Sequence, residues 1–330
     1  MRKVTIEDIS RETGLSRGTV SRALNDRPDI SIQTKQRVLA ACRKYKYVPS
    51  HAARALATGR NYAVAALVDD LQSAFSATFL RGVINRAEQA GYAVHVIETG
   101  PDPKSDRLRS LSPERIEGVL NAIPLDASLA GQLRQGAEDR ILTSCWPLEG
   151  VPCDVLAPDH IEAGRMVARF LARRAFREIL YVHRPTCRAD AERLAGFQEV
   201  CRERGVDPEG ATAPVADLDA LEALSPRLER ADAIVATDDC LAITIMLVCT
   251  RLGRRPGVDL AIIGHGNEPV ASAIQPTLTT VDFNGEETGR RTMETVLQRL
   301  AQKRMDAPQH IRIAPLLVER GSTRQGARGS

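Results

Sequence analysis

The side chains best equipped for chemistry in this sequence stand near its start. Arg17, Gly18, Ser21 and Arg22 are spaced so that a helix would set them apart from Val20 and Leu24, the apolar pair at i and i+4. An arginine can meet guanine O6 and N7 bidentately, and a glycine lets a helix approach a base edge closely. Arg17, Gly18 and Arg22 are therefore candidate base readers. Around them Thr5, Ser16, Thr19, Ser21, Asn25 and Thr34 offer hydroxyls, an amide and helix N-termini suited to phosphate oxygens. Charge points the same way. Residues 1–60 hold 13 Lys/Arg against 5 Asp/Glu, although the whole chain of 330 residues is only +3. A basic head joined to a mildly acidic body is the electrostatic footprint of a nucleic-acid binder with a second activity attached.

Other chemistries lack their residues. The seven cysteines include no Cys-x-x-Cys pair and sit mostly in apolar stretches, so they read as buried thiols. Six scattered histidines contain no His-Glu-x-x-His, so neither a metal nor a cofactor is expected. Gly264-His265-Gly266-Asn267-Glu268 lacks the third glycine of a dinucleotide loop and reads as a strand end and turn. Asp69-Asp70 and Asp238-Asp239 each follow a strand, where paired carboxylates could bind a metal but are more often one loop cap and one ligand contact. No apolar run approaches the ~18 residues of a membrane span, and acidic residues stand where a signal peptide would be apolar. The expected location is the cytoplasm.

These residues need elements to position them. Thr5 to Asp8 fits a capping box, with the Thr5 hydroxyl accepting from the Asp8 amide, and Gly14 stops the first helix. Ser16 caps a second helix that ends at Asn25-Asp26-Arg27-Pro28. Ser31 opens a third, with Val38, Leu39 and Cys42 inward, running to about Tyr45. This is a helix-turn-helix unit over residues 1–47. Residues 48–62 form an Ala-rich hinge helix with too little apolar surface to stand alone. From Ala63 strands (Ala63–Val68, Ala93–Glu98, Gly118–Ile123, Ile141–Cys145, Glu178–His183, Ala233–Thr237, Leu260–Gly264) alternate with amphipathic helices. The helices are expected at Ser76–Ala90, Asp126–Gln135, Glu162–Arg174, Ala189–Arg204, Leu218–Glu229 and Leu241–Leu252. The pattern specifies an α/β core of two open lobes with parallel sheets over 63–320, and a cleft beyond the strands' carboxyl ends. Gly321–Ser330 is expected to be a disordered tail.

The run Val4-Thr5-Ile6-Glu7-Asp8-Ile9, Thr13-Gly14-Leu15-Ser16, Thr19 to Asn25, Thr34 to Val38 and Tyr47-Val48-Pro49-Ser50 resembles the LacI/GalR family of bacterial transcription repressors. Phe75, Arg81-Gly82, Asp159-His160, Ala163-Gly164-Arg165, Glu192 to Phe197, Asp238 and Pro276 to Val281 extend the resemblance in order through the core. It implies a periplasmic-binding-protein-like core, a homodimer (in some relatives a dimer of dimers), a pseudo-palindromic double-stranded operator and control by a small molecule in the cleft. It also implies that the hinge helix forms on DNA, with Leu56 wedged in the minor groove, Ala53 one turn before it and Ser50 where many relatives have Asn. Arg193 matches a family effector contact, while Phe75, Trp146, His183 and Asp238 lie at strand ends facing the same crevice. Asn267 and Phe283 stand where relatives carry polar sugar clamps. The expected effector is a sugar or an anionic sugar-like compound paired with Arg193. The rival reading is a small-molecule binding protein or α/β enzyme with an incidental basic N-terminus.

Overall fold

Apolar residues at helical spacing build the head. In the computed structural model, which describes residues 4–24, 27, 29–47, 60–100, 116–133, 141–174, 176–184, 188–207, 210–302 and 307–323, three helices occupy Ile6–Thr13 (α1), Arg17–Leu24 (α2) and Ile32–Tyr45 (α3). Ile9, Val20, Ala23, Val38, Ala41 and Cys42 bury one small core between them. Gly14 ends α1 with φ 63°, a left-handed turn that side chains resist. Leu39 does not pack inward as expected: Val38, Ala41 and Cys42 take the i, i+3, i+4 face and leave it 47% exposed. A clasp ties the first helix to the third, with Glu12 accepting from Lys44 Nζ and Tyr45 Oη, each at 2.7 Å. Contacts divide the chain into Met1–Tyr62 and Ala63–Ser330.

The second unit holds two six-stranded sheets. The first lobe contains β1 (Ala63–Val68), β2 (Ala93–Glu98), β3 (Gly118–Asn121), β4 (Ile141–Ser144), β5 (Asp154–Pro158) and β11 (His310–Ile313), in the order β11-β5-β4-β3-β1-β2. The second contains β6 (Ile179–His183), β7 (Thr212–Pro214), β8 (Ala233–Ala236), β9 (Ala261–His265), β10 (Thr279–Asp282) and β12 (Leu316–Val318), in the order β12-β10-β9-β8-β6-β7. Every pairing is parallel except β10 with β12. The chain passes between lobes after β5, after β10 and between β11 and β12.

Helix pairs cover both sheets at unusually close range. In the second lobe Gly164 of α6 (His160–Arg173) and Gly196 of α7 (Arg188–Glu203) lie at the crossing, where an added Cβ would fall 1.9 Å from Arg193 O or 2.0 Å from Ile161 O. In the first, an added Cβ on Gly82 of α4 (Ala74–Gln89) would fall 2.0 Å from Glu286 O, and one on Gly289 of the helix Gly285–Gln302 2.0 Å from Phe79 O. Several glycines that carried the family resemblance thus serve helix packing.

Five strands and two helices go unread in the sequence. Asp154–Pro158 begins on a buried carboxylate, held by Arg299 at 2.6 and 2.9 Å, that masks its apolar run. Gly285–Gln302 buries Thr288, Thr292 and two glycines alongside only two large apolar residues, Met293 and Val296, so its inward stripe is faint. Thr212–Pro214, Thr279–Asp282, His310–Ile313, Leu316–Val318 and the helix Pro269–Ala273 are too short to show a period. The helix expected at Leu218–Glu229 is two, Leu218–Glu222 and Ser225–Arg230, because Pro226 starts the second. The expected disorder from Gly321 is corrected: Gly321–Thr323 is a 3₁₀ turn with Ser322 and Thr323 buried, Ser322 Oγ donating to Ile262 O. Among the described residues no helix is long and apolar enough to cross a membrane.

Candidate functional site

In the head, α2 carries the candidate base readers on the side away from its buried residues, Val20 and Ala23. Arg17, Gly18 and Arg22 are all exposed. Arg17 Nη1 lies 2.9 Å from Glu7 Oε1, and Arg22 pairs with Asp29. Both pairs are exposed and so contribute at most ~1 kcal/mol, little to hold the guanidiniums back from a stronger acceptor. An added Cβ on Gly18 would meet only Ser16 Oγ, at 3.6 Å, so the protein's own packing does not require glycine there. Its bareness matters for whatever approaches from outside.

The hydroxyls chiefly cap helices. Ser16 Oγ accepts from Thr19 N at 3.1 Å and lies 2.9 Å from Thr19 Oγ1, while Ser31 Oγ accepts from Thr34 N at 3.2 Å. The expected Thr5–Asp8 capping box is present, and in it the Asp8 carboxylate accepts from both the Thr5 amide and its hydroxyl, at 2.9 and 3.0 Å. Ser21 and Thr19 are half-buried. Asn25, Ser50, Ala53 and Leu56 lie outside the described residues.

In the core, Trp146, Arg193, Phe283 and Phe75 come together. Trp146 Nε1 donates to Ala122 O at 3.2 Å, and the indole stacks on His160 at 5.7 Å between centroids. His160 meets Phe283 edge-on at 4.9 Å, and Phe283 stacks on His265 at 6.2 Å. Phe75, from the first lobe, packs against the second-lobe cluster that contains Phe283. Arg193 sits 5.2 Å over the Phe283 ring, pairs with Asp190 one turn earlier and is buried with it. Its anticipated role as a free anion receptor is thereby altered, because a carboxylate of the same helix already neutralises it.

The remaining candidates are engaged elsewhere. Asp238 caps α10 (Asp239–Arg251) by accepting from Leu241 N at 2.7 Å and takes Arg184 Nη1 at 3.1 Å. Asn267 donates to Asp282 at 2.9 Å and accepts from Arg320 at 2.7 Å. His183 is half-buried, and burial lowers its pKa.

His160, Asp190, Tyr181 and His265 are not among the candidates that the sequence offers, and Asp239 is offered only as half of the Asp238-Asp239 pair. Asp190 has a visible signal, since an acid three residues before an arginine on a helix pairs with it. The others depend on tertiary placement. Burial first, then the Arg193 charge, pushes the pKa of His160 and of His265 down to about 3. The tautomers follow from their partners. The Arg193 guanidinium, 3.4 Å from His160 Nδ1, can only donate, so that nitrogen is bare. Ala236 O, 2.7 Å from His265 Nδ1, can only accept, so that nitrogen carries the proton and Nε2 is left a buried acceptor without a partner.

These shifts fix a pH dependence. The folded histidines stay neutral while the unfolded chain protonates below about 6.5, so stability falls as pH drops, by up to ~1.4 kcal/mol per unit per histidine. Asp239, raised to about 6 by burial, opposes this from about pH 6 downward, as the fold takes up a proton before the unfolded chain does. Two histidines outweigh one aspartate. The urea midpoint should therefore fall between pH 7.5 and 5, and His160→Phe should flatten the profile; a flat wild-type profile would contradict the buried neutral pair.

Comparison with known proteins adds identity to this geometry. Residues 5–50 match the family model described as bacterial regulatory proteins, lacI family, and residues 168–323 match a periplasmic binding protein-like domain. The HTH-type transcriptional repressor PurR of Klebsiella pneumoniae (strain 342) is 26% identical over 333 residues, covering 98% of this chain and 97% of that one. Its counterpart from Edwardsiella ictaluri (strain 93-146) is 26% identical over 336 residues, with the same coverage. Among solved structures, the lac repressor dimer bound to operator and the anti-inducer ONPF superposes with TM-score 0.74 at 21% identity, covering 98% of this chain and 99% of that one. A complex of the regulator CelR with cellobiose gives 0.69 at 24%, covering 97% and 100%.

Proposed function

We propose, from the match of residues 5–50 to the lacI family of bacterial regulatory proteins, that the exposed Arg17, Gly18 and Arg22 read bases in a pseudo-palindromic operator while a small molecule in the core cleft sets operator affinity. The protein is a DNA-binding transcriptional repressor under small-molecule control, not an enzyme. The observation that carries the base-reading role is the face of α2: two arginines flank a glycine that the head's own packing does not need. Thr5, Ser16, Thr19, Ser21, Asn25 and Thr34 position the head on phosphates, several of them while capping helices. Ser50, Ala53 and Leu56 form the minor-groove hinge. The protein works in the cytoplasm, where its DNA is.

It acts as a homodimer. Helix α10 supports this, since Leu247 is 63% exposed with Cys240 and Thr250 beside it, and the one charge on that face, Arg251, stands at the helix end and pairs with Glu222. Phe75, Trp146, His183, Arg193, Asp238, Asn267 and Phe283 line or border the effector cleft. With Arg193 paired to Asp190, a neutral, sugar-like ligand suits the cleft better than an anion, which would have to displace a buried carboxylate.

The test is titration of the full-length protein with a selected duplex at rising salt. Phosphate contacts release counterions, so affinity should fall steeply and log-linearly with salt. Leu56→Ala should weaken binding to that duplex while leaving core stability unchanged, because the wedge acts only against DNA. Salt-insensitive binding, or an unaffected Leu56→Ala variant, would overturn the assignment.

A further inference from the structure

Besides the three chain crossovers, side chains also tie the lobes: Trp146 stacks on His160, Phe75 packs onto the second-lobe cluster, and Glu268 makes a direct hydrogen bond across. Glu268 lies in the turn after β9, in the second lobe, and its Oε1 accepts from Ala74 N, the first residue of α4 in the first lobe, at 3.2 Å. The Ala74 N–H is among the amides that a helix start leaves without an intrahelical acceptor, and the positive end of the helix favours a carboxylate there.

Both ends of this contact are held firmly. On the second-lobe side, Glu268 N donates to Asp239 Oδ2 at 2.7 Å, and Asp239, fully buried, accepts from Thr280 Oγ1 at 2.5 Å. Asp239 lies flat against Gly264, where an added Cβ would come within 2.2 Å of its Oδ1. Next to it Asn267, at φ 52°, is fixed by Asp282 and Arg320 and donates its own amide to Thr280 Oγ1 at 3.2 Å. On the first-lobe side, Ser76 Oγ donates to Asp69 Oδ1 at 2.9 Å, anchoring the first turn of α4 to the end of β1. Neither end can drift without breaking these bonds.

The tie also adjoins the cleft. Phe75 follows Ala74 and packs across onto the second-lobe cluster, and Asn267 precedes Glu268. We propose that Glu268 is a positioning residue that clamps the two lobes by holding the N-terminal turn of α4, and that the effector regulates operator affinity by working with or against this clamp. The clamp stands on the contacts alone; its regulatory consequence rests on the effector-cleft reading above.

The test compares full-length wild type, Glu268→Gln and Glu268→Ala by residue-resolved amide hydrogen exchange. Loss of a charge-assisted hydrogen bond should raise exchange at Ala74 about tenfold in Glu268→Ala and by less in Glu268→Gln, which keeps a neutral acceptor. Exchange in β9 and β10 should not change, because the bond to Asp239 uses the main-chain amide of residue 268, which every variant keeps. Unchanged exchange at Ala74 in both variants overturns the clamp, and should Glu268→Ala unfold broadly, Glu268→Gln alone decides. The same variants are then titrated with the selected duplex, where a shift in affinity of about threefold or more supports the regulatory half and wild-type affinity overturns it. The exchange measurement needs no DNA, so a failed clamp and a failed operator assignment give different results.

Discussion

Gly196→Val is expected to cost the core about 3 kcal/mol or more, the upper end for overpacking, because the added side chain would drive into main chain. An ideal Cβ at this position already lies 2.0 Å from Ile161 O and 3.2 Å from Arg165 N, and neither can swing aside as a flexible side chain would. The helices must separate. As α7 also carries Arg193 and Asp190, separation would pull the guanidinium off Phe283 and away from His160. Thermal unfolding should show a midpoint lower by roughly 6–12 °C for a unit of this size. Gly131→Val makes a useful control, since an added Cβ there meets nothing within 4 Å. Equal midpoints for the two variants would mean that the helices are not in contact at Gly196.

Arg22→Ala and Arg17→Ala should each lose about 1–3 kcal/mol on the selected operator duplex and relax preference at one base-pair position. On random duplex the loss should be small, because a base reader contributes little to sequence-independent binding. The carboxylate partners sharpen this expectation. Glu7 and Asp29 hold the guanidiniums in exposed pairs that DNA must displace, so Glu7→Gln should leave specificity intact and tighten binding slightly. Equal losses on operator and random DNA would reassign the arginines to phosphate contacts. Fluorescence anisotropy at one fixed salt concentration measures both.

Much of this architecture is legible in the residues. The three head helices follow from caps at Thr5, Ser16 and Ser31 and the stop at Gly14, because capping is local chemistry. Strands buried on both faces, such as Ala63–Val68 and Ala233–Ala236, show as unbroken apolar runs. The cleft is harder to read. Arg193 and Phe283 are 90 positions apart in sequence, and nothing local announces that one sits over the other. His160 and His265 resemble ordinary element ends until burial beside a guanidinium fixes their protonation. Asp238 and Asp239 divide their labour because of what lies across the fold: a helix amide and Arg184 for the first, Thr280 and the Glu268 amide for the second.

A base-reading role for the α2 face requires preference for a defined DNA sequence. Selection from a library of random duplexes by the full-length protein at near-physiological salt measures that preference. A two-fold-related motif is expected, bound at least about 10³-fold more tightly than random duplex. Arg22→Ala, carried through the same selection, should lose preference at one symmetric pair of positions. Enrichment of no motif, or of the same motif at full strength by Arg22→Ala, would contradict that role.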